Sequence, residues 1–153
     1  MSLRGGCELC DYGTRAIVHP VAATAALRVV RVQDEPDYPA YYRVVWNEHV
    51  REFSGLTPAE RAHCTDAIVA VERALLERLA PAKINLASLG NVVPHLHWHI
   101  IPRYWSDPRW GMPIWTTPLS DMPDRRLEDA DRTQLIEAIR AALRDALVED
   151  GLI

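Results

Sequence analysis

The sequence predicts an α+β domain built on an antiparallel sheet. Three observations carry this: two pairs of short stretches rich in β-branched and aromatic residues, a long helix between the pairs, and an amphipathic helix at the end. The chain of 153 residues is the length of one domain, and 48% hydrophobic with 25% charged residues is the make-up of an ordinary globule.

Residues 1–6 (MSLRGG) read as a flexible leader outside the fold. Cys7 and Cys10 follow as a CxxC pair, ahead of a short apolar piece at 16–18. Residues 25–32 (AALRVVRV) and 41–46 (YYRVVW) read as two antiparallel strands, separated by the turn-forming Asp34-Glu35-Pro36-Asp37-Tyr38-Pro39. Thr57-Pro58-Ala59-Glu60 starts a helix: Thr57 caps, Pro58 takes the first helical position and Glu60 completes a capping box. Ile68, Val71, Leu75 and Leu79 then recur at helical spacing until Pro81 stops the run. Residues 83–88 (KINLAS) and 95–103 (HLHWHIIPR) read as strands joined by Leu89-Gly90-Asn91-Val92-Val93-Pro94. Five prolines and one glycine between Pro102 and Pro123 predict an irregular segment over 104–130. Residues 131–150 close the chain as a helix, with Leu135, Ile139, Leu143 and Leu147 on one stripe and Gly151 just beyond.

Composition narrows the function classes. Seventeen Lys and Arg against twenty-one Asp and Glu argue against a nucleic-acid polymer as partner. No apolar run approaches the ~20 residues needed to cross a bilayer, and no charged-then-apolar leader opens the chain, so no membrane is expected. Three cysteines, an odd number, fit a reducing cytoplasm.

Three of the six histidines fall in His95-Leu96-His97-Trp98-His99. Side chains alternate along a strand, so His95, His97 and His99 share one face and Leu96, Trp98 and Ile100 the other, the core face. The imidazoles then stand about 6–7 Å apart. An exposed polar face has no need of a residue that titrates near neutrality. Two chemical readings follow: a zinc site, or phosphoryl transfer in which one imidazole attacks phosphorus while its neighbours bond the phosphate oxygens.

The run HLHWHII resembles, at all seven positions, the His-φ-His-φ-His-φ-φ signature (φ apolar) of the histidine-triad (HIT) nucleotide hydrolases and transferases, and the element order from about Cys7 to Arg103 resembles that family too. The resemblance implies a HIT-like sheet of about five antiparallel strands with a long central helix and a C-terminal helix. It implies that His97 is the nucleophile, transiently nucleotidylated, that His99 bonds the phosphate and assists the leaving group, and that His95 supports the site. The substrate would be a nucleoside phosphoramidate, a dinucleoside polyphosphate or another nucleotide conjugate. Family members commonly form homodimers, so a homodimer is expected. Gly90 and Asn91 stand where the family usually carries Gly-Gln, and Asn85 and Ser88 are candidates for an upstream contact with the leaving group. The family's usual Pro-Lys-x-His before the central helix reads Trp46-Asn47-Glu48-His49 here, keeping the histidine alone.

A CxxC pair supplies two of the four ligands that zinc takes in structural sites, whereas a redox pair would need a thioredoxin-like βαβ pattern, which is missing. Several bacterial HIT proteins that begin with such a pair hold a structural zinc, with the histidine before the central helix and the first triad histidine as its other ligands. The resemblance therefore implies Cys7, Cys10, His49 and His95 as a closed site. Cys64 reads as an apolar packing residue of the helix, and His19 and His63 as structural or surface residues. Trp105, Trp110 and Trp115 call for packing of the 104–130 segment against its own sheet, a second subunit or a nucleobase. Two alternatives to the nucleotidyl hydrolase stay open: a zinc-dependent hydrolase using the histidine cluster as ligands, and a non-catalytic nucleotide-binding module.

Overall fold

A computed structural model describes residues 6–11 and 18–148. Among the described residues the strands and α-helices run in the order β1 (Val18–Ala23), β2 (Leu27–Val32), β3 (Tyr42–Trp46), α1 (Pro58–Leu79), β4 (Lys83–Ala87), β5 (His97–Arg103) and α2 (Asp129–Ala146), with a 3-10 turn at Phe53–Gly55 ahead of α1. The strands form one sheet in the order β1-β2-β3-β5-β4, and every neighbouring pair is antiparallel. This is the α+β architecture that the strand, helix and strand pattern predicts, with five strands.

β1 is the strand the residue pattern does not announce. Its sequence, VHPVAA, carries a proline that cannot donate to a ladder, and it sits at the sheet edge with a register shift between Pro20 and Ala22. Of the expected leader, residues 1–5 lie outside the described residues, and so do Ala16 and Ile17. β2 starts at Leu27 rather than at 25, because the Thr24 hydroxyl accepts from the N–H groups of Ala26 and Leu27 at 3.2 and 3.1 Å and turns the chain there. β5 starts at His97 rather than at 95: the His95 N–H donates to the Val93 carbonyl at 2.8 Å and the Leu96 N–H to the Val50 carbonyl at 2.6 Å. α2 begins two residues ahead of 131, and Gly151 lies outside the described residues.

One face of the sheet carries the main core. Val29, Tyr42, Val44, Trp46, Leu96 and Ile100 meet Ile68, Val71 and Leu75 of α1 and Leu135, Ile139 and Leu143 of α2. The two helical stripes predicted from spacing are thus the stripes that are buried, and Cys64 packs among them. No described helix is long and apolar enough to cross a membrane.

α1 opens with the capping box in full: the Thr57 hydroxyl accepts from the Glu60 N–H at 3.3 Å, and the Glu60 carboxylate accepts from the Thr57 N–H at 2.7 Å. The helix ends on Ala80 at φ 43°. Thr57→Ala is expected to cost about 1 kcal/mol, which lowers the melting temperature of a chain this size by roughly 2–4 °C. Thermal melts of the two chains check it, and an unchanged melting temperature would show the cap to be dispensable.

Candidate active site and candidate metal centre

Strand alternation sends every second residue of β3 and β5 to the face away from the main core. Val45 is opposite His97 and Arg43 is opposite His99 across the ladder. A cavity of about 420 Å³ opens there, lined by His97, His99, Arg43, Asp34, Trp115 and the loop residues 89–93, with Glu8 and Leu9 from the N-terminal segment. That volume falls in the range of small-molecule sites. Gly90, at φ 77°, occupies the left-handed region that glycine favours and lets the loop turn along the cavity wall.

The motif histidines divide into two groups. The His97 and His99 rings pack edge to face with centroids 4.7 Å apart. His97 Nδ1 bonds the His95 carbonyl at 2.6 Å, which fixes the proton on Nδ1 and leaves the lone pair on Nε2. Burial lowers the pKa of His97, against the bond to the His95 carbonyl, which raises it. Burial pushes His99 down to about 3, helped by the neighbouring His97 and the Arg43 guanidinium. Both rings are therefore neutral at physiological pH, the state in which an imidazole nitrogen can attack.

His95, one residue ahead of Leu96 and outside the ladder, turns elsewhere. Its Nε2 meets the Trp46 carbonyl at 2.6 Å, so Nδ1 carries the lone pair. That Nδ1 lies 3.5 Å from both Cys7 Sγ and Cys10 Sγ, and Cys10 Sγ lies 3.3 Å from His49 Nδ1. All four ligand atoms lie within 4.8 Å of one another. An ion bound tetrahedrally at ~2.3 Å from sulfur and ~2.0–2.1 Å from nitrogen puts sulfur and nitrogen about 3.5 Å apart, so the set fits such an ion. The backbone carbonyl behind His95 supplies the outer partner that metal-bound imidazoles need. Burial, then the neighbouring Cys7 thiol, pushes the Cys10 thiol up to about 11; a bound cation would reverse that preference.

The other expected contacts are placed as follows. Asn91 lines the cavity beside Gly90. Ser88 Oγ donates to the His97 carbonyl at 2.9 Å and so braces the strand from behind. Asn85 Oδ1 accepts from Arg103 Nη1 at 2.6 Å, and neither Asn85 nor Ser88 reaches the cavity wall. Sequence reasoning missed Arg43, on the histidine face of β3, and Tyr41 just ahead of it; that stretch is buried on both sides and so shows no polar alternation. It also left Trp115 without a place: its indole and the His99 ring pack edge to face, centroids 5.0 Å apart. Trp105 and Trp110 pack on each other at 4.3 Å. A second cavity, of about 250 Å³ beside Tyr38, Tyr104 and Arg125, contains no histidine or cysteine.

Solved structures of histidine triad proteins share this fold. A histidine triad protein of Bradyrhizobium japonicum is 28% identical with a TM-score of 0.67, over 83% of this chain and 91% of that one. A histidine triad protein of Marinobacter aquaeolei has the same TM-score at 23% identity, over 86% of this chain and 92% of the other. A Zn-bound histidine triad family protein of Mycobacterium smegmatis is similar in fold, with a TM-score of 0.56 at 20% identity over 94% and 95% of the two chains. No curated protein matches the chain. The HIT domain family model matches residues 17–105, more than half of the sequence and the whole of the sheet. The chain belongs to the HIT domain family.

Proposed function

We propose that the protein hydrolyses nucleotide conjugates, a nucleoside phosphoramidate or a dinucleoside polyphosphate, through a covalent nucleotidyl-His97 intermediate. The observation that carries this is the 2.6 Å bond from His97 Nδ1 to the His95 carbonyl, which leaves Nε2 as the nucleophilic nitrogen of a ring that lines the cavity. Nε2 forms the bond to phosphorus as the bond to the leaving oxygen or nitrogen breaks and takes its electron pair. Water then attacks phosphorus, and the N–P bond breaks with its pair returning to Nε2. Over the cycle the hydroxyl of that water stays on phosphorus and its other proton ends on the leaving group. His99 bonds the phosphate and the departing atom, while Gly90 and Asn91 bring loop backbone and an amide to the phosphate side.

Zinc is the ion that the Cys2His2 set suits, and it closes four protein ligands with no open position, as structural zinc does. Bound there, it would pin residues 7–10 beside the triad strand and leave the chemistry to the histidines. The alternative of a zinc-dependent hydrolase on His95, His97 and His99 has less support. His95 turns Nδ1 to the thiols and Nε2 to the Trp46 carbonyl, and His97 spends Nδ1 on a carbonyl. A homodimer and a cytoplasmic location belong to the same reading, resting on the family resemblance and the cysteine usage.

Intact mass spectrometry of a His99→Ala chain, incubated with a panel of nucleotide conjugates, tests the mechanism. The expected result is one nucleotidyl group on His97. An adduct on another residue, or no adduct while water still cleaves the substrate, overturns the histidine nucleophile.

A further inference from the structure

One contact reaches His99 Nδ1, and two more hold the residue that makes it. The Tyr41 hydroxyl is hydrogen-bonded to His99 Nδ1. Arg43 Nε donates to that same hydroxyl oxygen at 3.1 Å. The Arg43 guanidinium lies 5.2 Å from the centroid of the Tyr41 ring. Tyr41 is wholly buried, and its main chain is tied on both sides: its carbonyl accepts from the Val32 N–H at 2.9 Å, and its N–H donates to the Tyr38 carbonyl at 3.1 Å.

The direction of the chain follows from the three groups. A guanidinium is a donor and never an acceptor. A phenol oxygen that accepts from a cation is polarised to give up its own proton. A bare imidazole nitrogen is a stronger acceptor than a phenol oxygen, and that oxygen already accepts from Arg43, so the shared proton stays on oxygen and is donated to nitrogen. The order is therefore Arg43 N–H to Tyr41 oxygen, and Tyr41 O–H to His99 Nδ1.

We propose that Tyr41, polarised by Arg43, is a positioning residue that holds neutral His99 with its proton on Nε2. The ring then turns an N–H donor to the cavity. This inference rests on the nucleotidyl-transfer reading and deepens it. Two neighbouring residues of the same type acquire opposite roles: the His95 carbonyl makes His97 Nε2 a lone pair, and Tyr41 makes His99 Nε2 a donor. The His99 ring is already packed between His97 and Trp115, with centroids 4.7 and 5.0 Å away. Packing thus sets the ring orientation, and the tautomer is what is left for Tyr41 to decide. With the other tautomer, a lone pair would face the oxygens of the phosphate and the leaving group.

The test reads the tautomer by imidazole nitrogen-15 NMR on the full chain without substrate, and turnover separately. Wild-type His99 is expected to show protonated Nε2 and bare Nδ1. Tyr41→Phe should shift the ring to a mixture of tautomers and lower kcat between about tenfold and a hundredfold, as loss of an outer partner does, with KM unchanged. A chain carrying 3,5-difluorotyrosine at position 41 keeps the shape and strengthens the donor, so its His99 Nδ1 signal should move further in the bonded direction. If Tyr41→Phe does not fold, this second chain decides. Wild-type His99 protonated on Nδ1, or a His99 signal that neither change moves, overturns the proposal. Because the NMR measurement needs no substrate, a chain with no turnover of nucleotide conjugates would sink the activity and still leave the tautomer to be read.

Discussion

Replacing His97 by Ala is expected to abolish turnover of nucleotide conjugates, by at least about three orders of magnitude, while the chain stays folded. The ring lines a cavity on the face opposite the main core, so its loss does not open the helix-packed interior. What is lost is the one nitrogen whose lone pair the His95 carbonyl directs by holding the proton on the other side of the ring. On the tautomer proposed above His99 cannot replace it, because Tyr41 donates to its Nδ1 and the ring's own proton then occupies Nε2. The measurement is kcat/KM with a nucleoside phosphoramidate, alongside circular dichroism of the variant. Turnover above about a tenth of wild type would mean that no histidine nucleophile is at work. A wild-type chain that binds nucleotide but never turns it over would favour a binding module on the same fold.

Removing zinc is expected to lower the melting temperature by roughly 8–16 °C. A ligand present at about a thousand times its dissociation constant stabilises by ~4 kcal/mol, and each kcal/mol moves a chain of this size by ~2–4 °C. Cys10→Ser should reproduce the chelated value. The four candidate ligands come from the N-terminal segment, the loop after β3 and the residues ahead of β5, so an ion bound there would tie together parts of the chain far apart in sequence. Leu9, between the two cysteines, is buried against Val30 and Val45, and with Glu8 it forms part of the cavity wall. Chelation should therefore raise KM more than it lowers kcat at temperatures below the melt. An abrupt loss of kcat in a still-folded chain would point instead to a catalytic metal. A chain purified without chelator that holds under about a tenth of an equivalent of zinc would end the metal proposal.

How much of this was legible depended on what each residue had to reveal. α1 could be read almost to the residue, because Thr57, Pro58 and Glu60 act locally and Pro81 ends what they start. β5 was legible by period two, although its first residue was not: whether His95 joins the ladder depends on where the loop holding Val50 goes. β1 was obscured by Pro20, which only an edge strand tolerates. The pairing of Cys7 and Cys10 with His49 and His95 came from family resemblance, since ligands separated by 39 and 88 positions carry no shared period. Arg43 looked like a strand residue because it is, Tyr41 lies just ahead of that strand, and their second role appears only when β5 lies alongside. Trp115 reaches His99 across a proline-rich segment that has no periodicity to follow.

Arg103, the last residue of β5, has a consequence for which parts of the molecule open first. Its buried guanidinium bonds Asp107 at 2.5 Å, Asn85 at 2.6 Å, the Met112 carbonyl at 3.1 Å and the carbonyl of Arg109. Asp107 in turn accepts from the Tyr38 hydroxyl and the Arg109 N–H. The partners on 107–112 come from the irregular segment, and the residue that gathers them comes from the strand. The Trp115 wall of the cavity is therefore held to the sheet through this side chain and is expected to be less stable than β5 itself. In native-state hydrogen exchange the amides of residues 107–119 should open as one unit, below the free energy at which β3 and β5 part. The wall over the histidines can then come and go while the strand that carries them stays whole.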